Sequence, residues 1–347
     1  MSCNYLYRMK LYYLLAFILL GFTQYSRAQN TPGFVLVVHG GAGAMGGISA
    51  EHQAEYTAGL TKALKAGYRV LKDGGTAVEA VTAAIKILED DPLFNAGKGA
   101  VFTYEGRNEL DAGIMDGKTL KAGAVAGVTT VKNPITAAKA VMEQSPHVML
   151  SGRGADDFAA AHGCVIVKPS YFYTAARWAD LQRVKKAVDD EEHSKRSSSG
   201  ALQPGNHDWK YGTVGAVALD AFGNLAAGTS TGGMTAKRWN RIGDSPIIGA
   251  GTYANNATCA ISCTGWGEYF IRLGVAKSIS DMMEYRGETI QEAAHTMIFE
   301  KLAALGGDGG LIALDKHGNF IMPFNTKGMF RGYVREDGVI TTAIYAQ

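Results

Sequence analysis

The sequence changes character abruptly in mid-chain. From Asp189 to Tyr211 it reads DDEEHSKRSSSGALQPGNHDWKY: charged, serine-rich, interrupted by proline and glycine, and poor in apolar side chains. Such a stretch buries too little apolar surface to offset the entropy of ordering it, so it predicts an exposed linker. It stops at Gly212. The next residues, Thr213-Val-Gly-Ala-Val-Ala-Leu219, form the apolar run of a buried strand. Any fold for this chain must lead an exposed linker straight into its interior. Segments 29–212 and 213–347 are then expected to build one domain together.

The rest of the chain alternates short strands and helices without a regular βαβ repeat, which predicts an α+β layered fold. Phe34 to His39 is a β-branched run entering the glycine loop of HGGAG (39–43). Glu51 to Leu71 reads as a helix. A second helix opens with a capping box, Thr76 and Glu79, carries Val78, Val81, Ile85 and Leu88 at helical spacing, and stops at Asp91-Pro92. Ala122–Val131 reads as a strand, and Asn133-Pro134 caps a helix reaching Gln144. Beyond Leu219, Asp220–Asn224 is a hairpin turn and Leu225–Ser230 the returning strand. Further strands are expected at Thr258–Thr264, Gly310–Asp315 and Phe320–Phe324, and helices at Glu268–Glu284 and Thr289–Leu305.

Residues 1–28 read as a leader: Arg8 and Lys10, an apolar run Leu11–Phe22, then Ser26-Arg27-Ala28 as a signal-peptidase site. The run is shorter than the roughly 20 residues that span a bilayer. Export to a periplasm or the exterior is expected, without a stable membrane anchor. A formal net charge of +2 gives no reason to expect a nucleic-acid partner. Cys3 leaves with the leader, so Cys164, Cys259 and Cys263 remain, which is no disulfide framework. No metal-ligand spacing of the CxxC or HExxH kind occurs.

The junction Gly212-Thr213 carries a chemical possibility. Cleavage there would start the buried strand with a free α-amine beside a hydroxyl. A hydroxyl is a poor nucleophile, but an α-amine titrating at about 7.7–8.0 accepts its proton at neutral pH. Glycine at 212 admits backbone geometry closed to other residues. On these residues alone the ordinary reading, a Gly-Thr at the head of a strand, is the favoured one. Likewise, Arg241 with Asp244 reads by itself as a surface ion pair before it reads as a clamp for a carboxylate and an ammonium. HGGAG lacks the GxGxxG and GK[ST] patterns of nucleotide sites and reads as a packing turn, with His39 a buried histidine.

Longer motifs decide between these readings. GTVGAVALDAFGNLAAGTSTGGMTAKRWNRIGDSPIIGAGTYANN (212–256) resembles the nucleophile region of the plant-type asparaginase/isoaspartyl peptidase family of N-terminal-nucleophile hydrolases. HGGAG, DPLFNAGKGAVFT (91–103), ELDAGIMDG (109–117), KAGAVAGV (121–128), NPITAAKAVMEQSPHVML (133–150), SCTGWGE (262–268) and PFNTKGM (323–329) match in the same order. The resemblance implies an αββα four-layer sandwich that cuts itself between Gly212 and Thr213. It then hydrolyses β-aspartyl peptides and L-asparagine, with glycosylasparaginase as the sister activity. An exported aspartate-binding protein that never processes is the non-enzymatic alternative.

By the same resemblance Thr213 is nucleophile and amine base, with the Thr231 hydroxyl beside it. Thr264 and Gly265 form the oxyanion hole. Arg241 grips the substrate α-carboxylate, and Asp244 and the Gly267 carbonyl its α-ammonium. No organic cofactor is implied. A structural sodium is, held mainly by backbone carbonyls at Leu88, Glu89, Asp91, Phe94, Ala96 and Lys98, a donor type suited to a hard cation. Lys98 stands where the family more often has an apolar residue, so its side chain must point away from the ion. Trp266 replaces a small residue of the relatives and bears on substrate preference. Assembly as a dimer of cleaved αβ pairs is implied.

Overall fold

A computed structural model describes residues 33–43, 48–196 and 212–346, without the side chains of 189 and 191–196. The leader, and the linker beyond Arg196, lie outside the described residues.

The first segment gives β1 (Val35–Gly43), α1 (Ala50–Lys72), α2 (Ala77–Asp90), β2 (Leu110–Asp116), β3 (Ala122–Val128), α3 (Pro134–Gln144), β4 (Met149–Ser151), α4 (Gly152–Ala161) and α5 (Ala175–Arg196). The second gives β5 (Val214–Leu219), β6 (Leu225–Thr231), β7 (Thr252–Ala254), β8 (Cys259–Gly265), α6 (Gly267–Leu273), α7 (Val275–Arg286), α8 (Ile290–His295), β9 (Gly309–Asp315), β10 (Phe320–Ile321), β11 (Gly328–Arg335) and β12 (Ile340–Ala343). An eight-stranded sheet has the order β12-β11-β1-β5-β6-β2-β3-β4, and a four-stranded sheet the order β10-β9-β8-β7. Both segments contribute strands to the larger sheet, and β5 lies between β1 and β6.

The apolar runs explain the layering. Along β1 and β5, side chains alternate between two separate cores. Leu36, Val38, Val214, Ala216 and Ala218 pack with α1–α4, through residues such as Leu60, Leu64, Val81 and Ile85. Val35, Val37, Val217 and Leu219 pack with Ile261 and Leu311 of the smaller sheet, beyond which lie Ile279 and Ile290 of α7 and α8. Helices, sheet, sheet and helices therefore stack as an αββα sandwich. Each buried Val, Leu or Ile contributes about 1.5–3 kcal/mol, so strands of this composition are stable only when covered on both faces.

Several local expectations hold. Thr76 and Glu79 form the capping box of α2, and Val81, Ile85 and Leu88 are buried while Val78 is half-buried. Others need correction. The HGGAG segment is not a loop after β1: the strand runs through it, with a bulge between His39 and Gly41. Asn133 makes no side-chain cap on α3; its amide donates to Asp90 at 3.1 Å instead. The expected linker begins later than Asp189, because α5 continues to Arg196; its Glu, Lys and Arg are good helix formers. The helix expected at 268–284 breaks at Gly274, which is left-handed with φ 54°. The helix expected at 289–305 winds as a π-helix over Thr296–Leu302. Strand character beyond Ile321 shrinks to one bridge, Phe324 to Gly310. Cys164, Cys259 and Cys263 are free thiols, the last two buried in β8.

The two sheets touch tightly at Gly215. A methyl group there would lie 1.9 Å from Ser262 Oγ and 2.3 Å from His39 Nε2. Gly215→Ala is therefore expected to cost about 1–3 kcal/mol by overpacking. Denaturant unfolding of the two proteins measures this, and an unchanged midpoint would contradict the interlayer contact.

Candidate active site

Strand register places the polar residues. Val214 pairs with Ser230, so Thr213 lies opposite Thr231 where β5 begins and β6 ends. Alternation turns Thr213 and Thr231 toward the smaller sheet, the same way as Val217 and Leu219. Thr213 Oγ1 donates to Thr231 Oγ1 at 3.2 Å, and Thr231 Oγ1 also accepts from Gly233 N–H at 3.0 Å. Both threonines are buried.

Gly212 has φ 127°, a region that only glycine occupies readily, as its place at the junction led one to expect. Its backbone is hemmed in. A side chain on Gly41 would stand 2.7 Å from Gly212 Cα, and one on Gly212 would stand 2.8 Å from Asn95 Cβ. The glycines of HGGAG thus allow β1 to pass close to the Gly212-Thr213 peptide. Next to Gly41, Ala42 N–H donates to Thr264 Oγ1 at 3.2 Å, which brings the end of β8 beside the junction. Gly265 follows, with φ 154°; a Cβ there would lie 2.5 Å from the Asp308 carbonyl.

Two residues farther on, β8 leads into a second group. A Cβ on Gly267 would stand 2.8 Å from Arg241 Nη2 and 2.9 Å from Asp244 Oδ1, so Gly267, Arg241 and Asp244 adjoin one another. Burial pushes the Asp244 carboxyl up to about 7, against the attraction of Arg241. Its Oδ2 is buried without a hydrogen-bond partner. A cation and a half-satisfied carboxylate side by side match the α-carboxylate and α-ammonium of an amino acid.

Glu268 was missed in the sequence. It accepts from Arg241 Nε at 2.9 Å and from Nη2 at 2.8 Å, a two-pronged pair. Burial pushes the Glu268 carboxyl up, but Arg241 and a side-chain hydrogen bond from Trp266 outweigh it and hold the carboxyl below its usual range. The pair occupies one edge of the guanidinium and leaves Nη1 on the other. An acidic residue in the first turn of α6 was the available signal. Asn95 was also missed. It donates to the Gly233 carbonyl at 2.8 Å and accepts from Val101 N–H at 3.0 Å, bracing the turn after Thr231.

His39 lies beneath this site as a buried histidine. Its Nε2 is 2.9 Å from Ser262 Oγ, which is 2.6 Å from Thr229 Oγ1. Burial pushes the imidazole down to about 3, outweighing a backbone hydrogen bond at Thr213, so it stays neutral at physiological pH.

The segment 88–98 runs from the last turn of α2 into a 3₁₀ turn at Gly97–Gly99. The last turn of α2 has no basic residue, so its carbonyls keep their negative end-charge. Phe94 N–H donates to Asp91 O at 3.3 Å, Ala96 N–H to Phe94 O at 2.9 Å, and Gly99 N–H to Ala96 O at 3.1 Å. Each of these carbonyls keeps a second lone pair. A Cβ on Gly97 would stand 2.3 Å from Glu89 O, so the loop returns to the helix end. Lys98 Nζ donates to the Tyr171 carbonyl and stands 4.6 Å from the Tyr171 ring centroid. Its charge is thereby engaged by Tyr171. The donor set is neutral oxygen, which fits a hard monovalent cation. Among the described residues no group of three or more His, Cys, Asp or Glu is placed to hold a metal ion.

Comparison with known proteins agrees in extent and kind. The family described as asparaginase matches residues 32–344. The isoaspartyl peptidase of Escherichia coli K12 is 50% identical over 315 residues, covering 90% of this chain and 96% of that protein. A probable isoaspartyl peptidase/L-asparaginase of Arabidopsis thaliana is 42% identical, covering 90% and 99%. The human isoaspartyl peptidase/L-asparaginase is 41% identical, covering 85% and 91%. With a match along nearly its whole length and a sandwich built from the same motifs, this chain belongs to the asparaginase family.

Proposed function

We propose that the chain is a hydrolase that cuts its own Gly212-Thr213 bond and then cleaves β-aspartyl peptides and L-asparagine. The observation that carries this reading is the 3.2 Å contact of Thr213 and Thr231 hydroxyls at the head of a buried strand, directly after a glycine at φ 127°. In the precursor, Thr213 Oγ1 attacks the Gly212 carbonyl carbon and the peptide becomes an ester. That shift breaks the C–N bond and frees the Thr213 α-amine; water then hydrolyses the ester, releasing the Gly212 carboxylate and the Thr213 hydroxyl.

In the cleaved protein the α-amine takes the proton from Thr213 Oγ1, which attacks the substrate side-chain carbonyl. The Thr264 hydroxyl and the Gly265 N–H stabilise the oxyanion; such donors are each worth roughly 10²–10³ in rate. The tetrahedral intermediate collapses, the departing amine takes the proton, and an aspartyl ester remains on Thr213. Water releases aspartate. Arg241 holds the α-carboxylate on the edge that Glu268 leaves open, while Asp244 and the Gly267 carbonyl hold the α-ammonium. Fixing both groups sets the side-chain carbonyl before the nucleophile, where positioning makes a large contribution to rate. Sodium in the 88–98 loop would stiffen the segment that carries Asn95. Export through the 1–28 leader and assembly as a dimer of αβ pairs complete the reading.

Denaturing electrophoresis with intact mass tests it first. Wild type is expected as two fragments, the smaller beginning at Thr213, and Thr213→Ala as one uncut, inactive chain. A wild type that stays uncut and still binds aspartate would favour a binding protein. Rates on β-aspartyl-leucine should exceed those on N-acetylglucosaminyl-asparagine; the reverse would make the protein a glycosylasparaginase.

The raised Asp244 carboxyl adds a pH dependence. Below about 7 it is protonated and attracts the ammonium less. Inhibition by aspartate should weaken as pH falls from 8 to 5.5, and Asp244→Asn should be weak and flat over that range. Because an unfolded aspartate titrates at about 3.9, the folded chain binds the extra proton between about 4 and 7. This group's contribution to stability therefore falls as pH rises through that window. A pH-independent inhibition constant in wild type would remove Asp244 from the ammonium site.

A further inference from the structure

Asp111 has no part in the mechanism above, yet it is fully buried beside it. In the register of β2 and β6, Asp111 pairs with Thr231. The alternation that sends Leu110, Ala112 and Ile114 into the core under the outer helices sends Asp111 and Met115 toward the smaller sheet. Thr213, Thr231 and Asp111 thus form one row across β5, β6 and β2, on one face. Directly paired side chains on a sheet stand about 4.5–5.5 Å apart at Cβ, so the carboxylate adjoins the Thr231 side chain.

The sequence has built this placement. Between Leu110 and Ala112 the β2–β3 register shifts by one residue, and the extra residue of this bulge lies in β3, opposite Asp111. Opposite it, Gly127 takes φ 65° and donates its N–H to Asp111 Oδ1 at 2.8 Å. Bulges of this kind re-aim a side chain. Two residues on along the same face of β2, a Cβ on Gly113 would stand 2.9 Å from the Ser245 carbonyl, so this face meets the chain just after Asp244. Burial pushes the Asp111 carboxyl up, and the charges of Lys237 and Arg241 with the N–H groups of Gly127 and Gly243 oppose that. The second oxygen, Oδ2, is buried with no hydrogen-bond partner. Gly243 sits between Arg241 and Asp244, and a Cβ on it would stand 2.8 Å from Arg241 Nη1. The edge of the guanidinium left open by Glu268 is therefore the one that depends on where Gly243 lies.

We infer that Asp111 is a positioning residue: its carboxylate, aimed by the Gly127 bulge, holds the Arg241–Asp244 turn against the strand that carries Thr231. The grip on the substrate head group and the placement of the nucleophile are thereby referenced to one strand. This rests on the reading that Arg241 and Asp244 bind an aspartyl head group.

The test pairs aspartate binding by calorimetry with turnover of β-aspartyl-leucine, on cleaved wild type, Asp111→Asn and Gly127→Ala. Asparagine at 111 can still accept from Gly127 but lacks the second acceptor and the charge. Expected are an aspartate Kd and a KM raised about tenfold in Asp111→Asn, with kcat within about threefold and a free Thr213 terminus by mass. A role in folding alone would lower Tm and leave Kd unchanged, and that result overturns the inference. Should Asp111→Asn not fold, Gly127→Ala decides, because a Cβ there meets nothing nearer than 4.0 Å. It should raise Kd about threefold by displacing the N–H that aims the carboxylate, and an unchanged Kd overturns the inference. A wild type that binds aspartate without hydrolysing β-aspartyl-leucine would sink the proposed function and leave this inference standing.

Discussion

Burial of β5 on both faces is the constraint from which the rest follows. Its side chains enter two cores in alternation, one under the outer helices and one between the sheets. Neither core is complete without it, since it joins β1 of the first segment to β6 of the second. The residue that opens such a strand is held to the precision of a core. A nucleophile on a surface loop would have to be ordered at the moment of reaction. The nucleophile proposed here, at the head of β5, is ordered by the fold itself.

Polar groups between the sheets then have to be matched closely, because an unpaired donor or acceptor in that layer is costly. The chain does this with small hydroxyls. Ser262, Thr229 and Thr252 link to one another and to His39 within hydrogen-bond distance. Gly215 supplies the room, and His39 stays neutral because burial opposes its charge. Toward the open end of the same layer the matching becomes incomplete. Asp244 and Asp111 each keep an oxygen without a hydrogen bond, and Arg241 is only half engaged by Glu268. Incomplete satisfaction of buried charges is affordable where a charged ligand completes it, and an aspartyl head group carries the complementary pair of charges.

Much of the fold was legible before any coordinates. The capping box at Thr76, the apolar alternation of β5 and the turn at Asp220 are local signals, and each is found where the sequence put it. What was missed or misplaced depends on neighbours. β2, β7, β11 and β12 carry weak periodicity and exist because an adjacent strand supplies their hydrogen bonds. HGGAG reads as a loop by composition, but pairing with β11 keeps it in the sheet through a bulge. The helical stretch Asp189–Arg196 looked like a linker because polarity alone does not separate an exposed helix from a coil.

The same division runs through the site. Residue types and order along the chain determined the chemistry available: a threonine after a glycine, an arginine three residues before an aspartate, and a glycine-rich turn on either side. Those are properties of covalent order, and they survive without a fold. Only the tertiary structure decided that Glu268 shares Arg241, that Asn95 braces Gly233, and that Asp111 stands in the row of Thr213 and Thr231. These partners lie far apart in sequence and come together through strand register and sheet stacking, which depend on the whole set of contacts at once.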